Sequence, residues 1–409
     1  VRNFRAAFFT CCHLHNVDLL KTRIYFIFFL FLIFGACSKS KEKAIVAKPV
    51  PEQPIEIREI SFRKAVFTDP LKIKTVSSST EIMDELIYCL DKAPKGSTVH
   101  LSIFLFNYDP LINAVKRAYL RGVIINAMID YSREESFAEN NKAIDGFRAL
   151  FKSPSRVVII QSDAGASSIN HHKHALFSEL QLPNGVAKKV VFSTSHNFTV
   201  SDTKKIQDAV VLTDSGLYDA FLSNWNEMAS KAILGMKNFV YRTYQDPADS
   251  IRAYFFPRRQ NGAWDGNDTV IEILDKISDY SNATVQVAMS DWVASRINTA
   301  KKLTVLQTKG VKVEVIAKDK ADPEILAELE VLRSKGAYVK VLQMPVNNHS
   351  KFILIKGIWE GKQQEILING THNFTTNALR NNNEAMLIFK DHPLFKDYQE
   401  YYSRVKQTL

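Results

Sequence analysis

Two histidine–lysine pairs, His171 with Lys173 and His349 with Lys351, stand 178 residues apart, and each is followed by the same polar run. After the first come Ser195-His196-Asn197-Phe198-Thr199 and then Asp208; after the second come Thr371-His372-Asn373-Phe374-Thr375 and then Glu384. From His to Asn is 26 residues in one copy and 24 in the other, and from Asn to the acid is 11 in both. Imidazoles titrate near neutral pH and can attack an electrophile or carry a proton. Lysine and asparagine neutralise and hydrogen-bond anionic oxygens. A set of this kind, present twice in the same order, describes two halves of one phosphate-handling site. Core packing has no need of it.

These residues require particular elements to hold them. On a strand, His171 and Lys173 at i and i+2 share one face while His172 takes the other. Ala175-Leu176-Phe177 carry that strand into a core, and Val190 to Phe192 begin another whose far turn presents Ser195 and Asn197. The second copy repeats this with His349 and Lys351, then Ile366 to Ile368 leading to Thr371 and Asn373. Upstream of each copy the periodicity predicts helix, strand, helix, strand: 80–93, 99–106, 109–120 and 124–129, then 269–279, 284–289, 293–308 and 313–317. Arg121-Gly122-Val123 and Lys309-Gly310-Val311 mark the same helix end in both halves. The expectation is two similar α/β lobes from an internal duplication, each a mostly parallel sheet flanked by helices. The first lobe is placed at 58–235 and the second at 263–409, with a linker over 236–262 where Pro247, Pro257 and Gly262 interrupt the pattern.

The chain has 409 residues, 46% hydrophobic and 23% charged, which excludes wholesale disorder. Its formal charge of +10 biases it toward polyanions or anionic membrane surfaces. Near the N-terminus, Lys21 and Arg23 precede an uncharged stretch from Ile24 to Ala36. That stretch falls short of the roughly 20 residues that span a bilayer and suits a signal peptide, expected over 1–36. It closes with Phe34-Gly35-Ala36-Cys37, which resembles a bacterial lipobox with Phe in place of the usual Leu, and this implies lipidation at Cys37. Residues 37–57, mixed in Lys, Pro and Glu, are expected to be a tether, so the protein is expected to be exported and membrane-anchored, facing the periplasm or cell surface. Cys89, within a helical apolar pattern, is expected to be buried. Neither a disulfide framework nor a thiolate metal site is expected from the four cysteines.

The stretches NHHKHALF…FSTSHNFT and NHSKFILI…INGTHNFT resemble the paired catalytic motifs of the phospholipase D superfamily. The resemblance covers roughly residues 80–395 and implies a phosphodiesterase that needs no metal or other cofactor. It implies that one motif histidine attacks phosphorus to form a covalent phosphohistidine while the other protonates the leaving oxygen. His171 is then the nucleophile and His349 the acid, with the reverse assignment left open by the residues. By the same resemblance, Lys173, Lys351, Asn197 and Asn373 hold the phosphoryl oxygens, and Ser195 and Thr371 bind substrate by shaping the loop. Asp208 and Glu384 each accept a hydrogen bond from a histidine. The family pattern H-x-K-x4-D is broken at its last position, where Ser178 and Lys356 stand. The additional histidines His172, His174, His196 and His372 lack metal-ligand spacing and are expected to be packed or to line the pocket. The expected substrate is a phospholipid head group. An exported nuclease acting on nucleic acid is the alternative, and a catalytically silent member is a third possibility. Both half-sites lie in one chain, so a monomer suffices.

Overall fold

The structure is a computed structural model that describes residues 58–161, 168–231, 241–260 and 262–409. The expected signal peptide, Cys37 and the whole of the tether lie outside the described residues. In the first lobe the elements run β1 (Arg63–Phe67), α1 (Glu81–Lys92), β2 (Thr98–Ile103), α2 (Asp109–Leu120), β3 (Ile124–Asp130), α3 (Glu134–Leu150), β4 (Arg156–Ile160), β5 (Lys173–Leu182), β6 (Gly185–Thr194), β7 (Asp208–Thr213) and α4 (Ser215–Lys231). The second continues with β8 (Arg242–Gln245), β9 (Ile251–Phe256), α5 (Thr269–Asp275), β10 (Thr284–Met289), α6 (Ile297–Thr308), β11 (Lys312–Lys318), α7 (Pro323–Ser334), β12 (Tyr338–Leu342), β13 (Lys351–Trp359), β14 (Lys362–Gly370), α8 (Thr376–Arg380), β15 (Glu384–Lys390) and α9 (Leu394–Thr408).

Both lobes are α/β, each a sheet flanked by helices. The first sheet has the strand order β1-β7-β6-β5-β2-β3-β4 and the second β12-β11-β10-β13-β14-β15-β9-β8. Only the βαβ part of each is parallel, β2-β3-β4 and β10-β11-β12. The strands that carry the motifs are antiparallel, which corrects the expectation of mostly parallel sheets. Connection length explains the difference: β5–β6 and β13–β14 are joined by two residues, too few for a parallel crossover. Glu360 and Gly361, both at positive φ, form the second of these hairpin turns.

Residues 242–256, within the expected linker, form β8 and β9 at the edge of the second sheet. Ile251, Ala253 and Phe255 alternate into the core, and the prolines read as linker punctuation sit at strand ends instead. Helices α1 to α3 cover the outer face of the first sheet, and α5 to α7 that of the second. Between the sheets lies a third apolar cluster. Leu176, Val191 and Val210 of one sheet share it with Leu354, Leu367 and Leu387 of the other, filled in by Phe221 of α4 and Tyr398 of α9. Full burial of such side chains contributes roughly 1.5–3 kcal/mol each, so this shared cluster joins the lobes firmly.

Candidate active site

The ends of β5 and β13 meet across the lobes at a cleft of about 590 Å³. His171 and Asn197 line it from the first lobe, and His349 and Asn373 from the second. Backbone bonds lock the two lobes together at that point. The His171 amide donates to the Asn383 carbonyl (2.9 Å) and the His349 amide to the Ile206 carbonyl (2.9 Å). Each histidine is preceded by a buried asparagine that braces the turn. Asn170 accepts from the His172 amide (3.3 Å) and Asn348 from the Ser350 amide (3.0 Å). Asp130 adds a carboxylate under the first turn, accepting from the Asn170 amide at 2.7 Å, and burial pushes its own carboxyl up to about 6. The asparagines were visible in the sequence as the residue repeated before each motif histidine. Asp130 had only the signature of a strand-end turn residue.

The two imidazoles differ in what holds them. His171 Nδ1 lies 2.8 Å from Glu384 Oε2, a carboxylate of the opposite lobe. His349 Nδ1 lies 2.9 Å from Gln207 Oε1, an amide of the opposite lobe. Asp208, expected to accept a hydrogen bond from one of the motif histidines, does not. It accepts hydrogen bonds from Tyr398 Oη and Ser195 Oγ, each at 2.9 Å. Strand register explains the correction. Ser195 donates its amide to the Asp208 carbonyl as Thr371 does to the Ala385 carbonyl, each at 3.0 Å, and Thr194 pairs with Ala209 as Gly370 does with Met386. Gln207 is therefore the counterpart of Glu384. The equal spacing of 11 residues from Asn to acid conceals a loop one residue shorter in the first lobe.

Lys173 and Lys351 are buried behind the histidines, each ammonium returning to the carbonyl of its own motif histidine at 2.8 and 2.6 Å. Burial lowers Lys173 to about 7 and Lys351 to about 8. Burial likewise pushes the Glu384 carboxyl up to about 8 against the pull of Lys173. Both cleft histidines are held well below their ordinary value, first by burial and then by Lys173 and Lys351. Phe104 packs edge-on against His171 at 5.2 Å and lies under the Lys173 ammonium.

Asn373 Oδ1 accepts from the Asp291 amide (3.3 Å), and Asp291 pairs with Lys318 (2.8 Å) at the cleft wall. Ser195 and Thr371, expected to bind substrate, are fully buried one layer behind, where their hydroxyls join the loop to the following strand. The remaining motif-region histidines, His172, His174, His196 and His372, are buried away from the cleft; His174, for example, stacks edge-on against Phe221 at 4.9 Å. Ser178 accepts from the Thr98 amide (2.8 Å), and Lys356 pairs with Glu365 (2.7 Å), both far along the strands from the histidines.

This geometry coincides with a family assignment. The family described as "Cardiolipin synthase, PLD-like domain" matches residues 86–229 and 274–406, one segment per lobe. The chain belongs to the phospholipase D-like family. Within it, the chain is 29% identical over 108 residues to a mitochondrial cardiolipin hydrolase of Xenopus tropicalis, covering 26% of this chain and 48% of that protein. It is 26% identical over 100 residues to the corresponding protein of Chlamydomonas reinhardtii, covering 24% and 42%. The chain thus matches about half the length of these curated relatives or less. Among solved structures, phosphatidylserine synthase of Haemophilus influenzae Rd KW20 shares the phospholipase D-like fold. Its TM-score is 0.58 at 12% identity over 84% of this chain and 88% of that one.

Proposed function

We propose that this phospholipase D-like protein is a phosphodiesterase that cleaves phospholipid head groups through a covalent phosphohistidine on His171, with His349 as the general acid. The observation that carries this reading is the unequal pair of partners. A Glu384 carboxylate accepting Nδ1–H keeps the His171 Nε2 lone pair basic and free to attack. A neutral amide on His349 makes its imidazolium the stronger acid. In the first step, His171 Nε2 bonds to phosphorus as the bond to the leaving oxygen breaks, and the His349 Nε2 proton passes to that oxygen. Water then attacks phosphorus and gives a proton to His349, and the P–N bond breaks to restore His171. Lys173 and Lys351 supply positive charge behind both rings.

The lipid reading is supported by Phe104, Leu105, Ile169 and Val293 in the cleft wall, beside the polar groups. The lipoprotein-type N-terminus supports the same reading, that of a protein held at a membrane outside the cytoplasm through Cys37. Charges in the cleft lining are mixed, with Glu135, Glu139, Asp202 and Asp291 beside Arg133, Lys205 and Lys318, unlike the continuous basic groove that tracks a nucleic-acid backbone. The test is full-length protein with EDTA present, given head-group-labelled phosphatidylcholine or phosphatidylglycerol vesicles and, separately, single- and double-stranded DNA. Head-group release that disappears in His171→Ala is the expected result. DNA cleavage lost in the same variant assigns a nuclease instead, and activity on neither makes this a silent member.

A further inference from the structure

Gln207 does not hold His349 unaided. Its Nε2 donates to Asp202 Oδ1 at 2.8 Å and to the Asp202 carbonyl at 3.1 Å, which fixes the amide with Oε1 toward the imidazole. Asp202 Oδ1 itself lies 3.5 Å from His349 Nδ1. The carboxylate is almost wholly buried and lines the cleft. Thr199 Oγ1 donates to it at 2.8 Å, Asn197 Nδ2 at 3.3 Å, and Lys205 pairs with it at 3.1 Å. Burial opposes its charge, yet Lys205, His196 and the hydrogen bonds from Thr199 and Gln207 outweigh burial and hold the carboxyl well below the usual range. It is therefore a fixed anion beside His349. Among the described residues, the second lobe has no carboxylate at the equivalent position. There Thr375 Oγ1 caps the Ala378 amide as Thr199 Oγ1 caps the Asp202 amide, so alanine stands where the first lobe has Asp202.

We infer that Asp202 and Gln207 form a positioning relay that places an anionic charge one residue away from His349, which supports the imidazolium form that protonates the leaving oxygen without holding that proton as tightly as a direct carboxylate. A direct carboxylate, as at His171, favours attack on phosphorus. A carboxylate behind an amide still stabilises the imidazolium, which burial opposes most and the cations Lys351, Lys205, Lys173 and Lys318 around it oppose further. The inference rests on the proposed role of His349 as the acid and adds the group that sustains that role.

The test uses one phosphatidyl donor with two leaving groups, phosphatidylcholine and phosphatidyl-p-nitrophenol. Only the first needs a proton on departure. Asp202→Asn is expected to lose about 100-fold on phosphatidylcholine and less than about fivefold on the nitrophenyl ester. Gln207→Glu alone is also expected to lose activity, because it sets two carboxylates within hydrogen-bond distance of each other. The double variant, with its carboxylate directly on His349 and none behind it, is expected to recover most of the loss. Equal losses of Asp202→Asn on both esters, or failure of the double variant to recover although it melts like wild type, overturns the relay. In either case His171→Ala reports separately on the proposed mechanism, since activity surviving that change sinks the covalent step itself. If wild type processes neither lipid, thymidine 5′-p-nitrophenyl phosphate and thymidylyl-thymidine make the same comparison.

Discussion

At His171 the ring meets a carboxylate directly, 2.8 Å away; at His349 it meets an amide at 2.9 Å, with the nearest carboxylate one step beyond. The backbone around the two is otherwise alike: the same i, i+2 lysine, the same bracing asparagine, the same hairpin and the same cross-lobe bond from the histidine amide. Duplication thus supplied matching geometry twice, and a few substitutions around it separated the chemical duties of the two rings. Since both rings share one cleft, the difference lies in their partners.

The harshest way to break this comparison is to remove each ring. His171→Ala is expected to lose at least about 10⁴-fold in kcat/KM on both leaving groups. His349→Ala is expected to lose about 10²–10⁴-fold on phosphatidylcholine while keeping activity within about tenfold on the nitrophenyl ester. Equal behaviour of the two variants on both esters makes the rings interchangeable and ends the distinction drawn between them.

Making the partners alike comes next. Glu384→Gln gives both rings an amide and is expected to cost about 10³-fold. It is also expected to change the pH profile. Glu384, raised to about 8 by burial, must lose its proton to accept from His171, so wild-type kcat/KM rises toward pH 8. Lys173 and Lys351, lowered by burial to about 7 and about 8, lose their charge on the alkaline side and bring the rate down. The Gln variant is expected to lose the rising limb and keep the falling one. Stability moves in the opposite direction over the same pH range. A carboxyl raised in the folded state favours folding below its unfolded value and loses that contribution as pH climbs through about 8. The melting temperature of Glu384→Gln relative to wild type is therefore expected to increase between pH 5 and 8 in a calorimetric scan.

Smaller effects sharpen the register argument. Asp208→Asn is expected to cost about 1–3 kcal/mol of stability through the Tyr398 and Ser195 bonds while reducing turnover far less than Asp202→Asn. A larger activity loss at Asp208 than at Asp202 restores the role that the family resemblance implies for Asp208. Smallest of all is Lys356→Ala at the broken motif position. Its surface pair with Glu365 is worth about 0–1 kcal/mol, and turnover is expected to stay within about twofold.

Much of this molecule was legible along the chain. The helices over 109–120 and 81–92, the strand 284–289 and the burial of Cys89 followed from periodicity, because each depends on contiguous residues facing one core. The strand directions of the motif hairpins and the strands 242–245 and 251–256 were missed. The former follow from two-residue turns, and the latter were masked by prolines that end strands rather than break a domain. In the candidate site, His171, His349, Asn197, Asn373 and Glu384 all reach or support the cleft, whereas Gln207 and Asp202 carried no signal that counting residues could detect.

From the sequence alone came the duplication, the α/β class, the paired His-x-Lys motifs and the polar residues that travel with them, since repetition and periodicity are properties of the chain as a string. Only the tertiary structure decided which partner each imidazole received. That choice depends on strand register across two lobes, and a loop one residue shorter turns Asp208 to Tyr398 and brings Gln207, backed by Asp202, to His349.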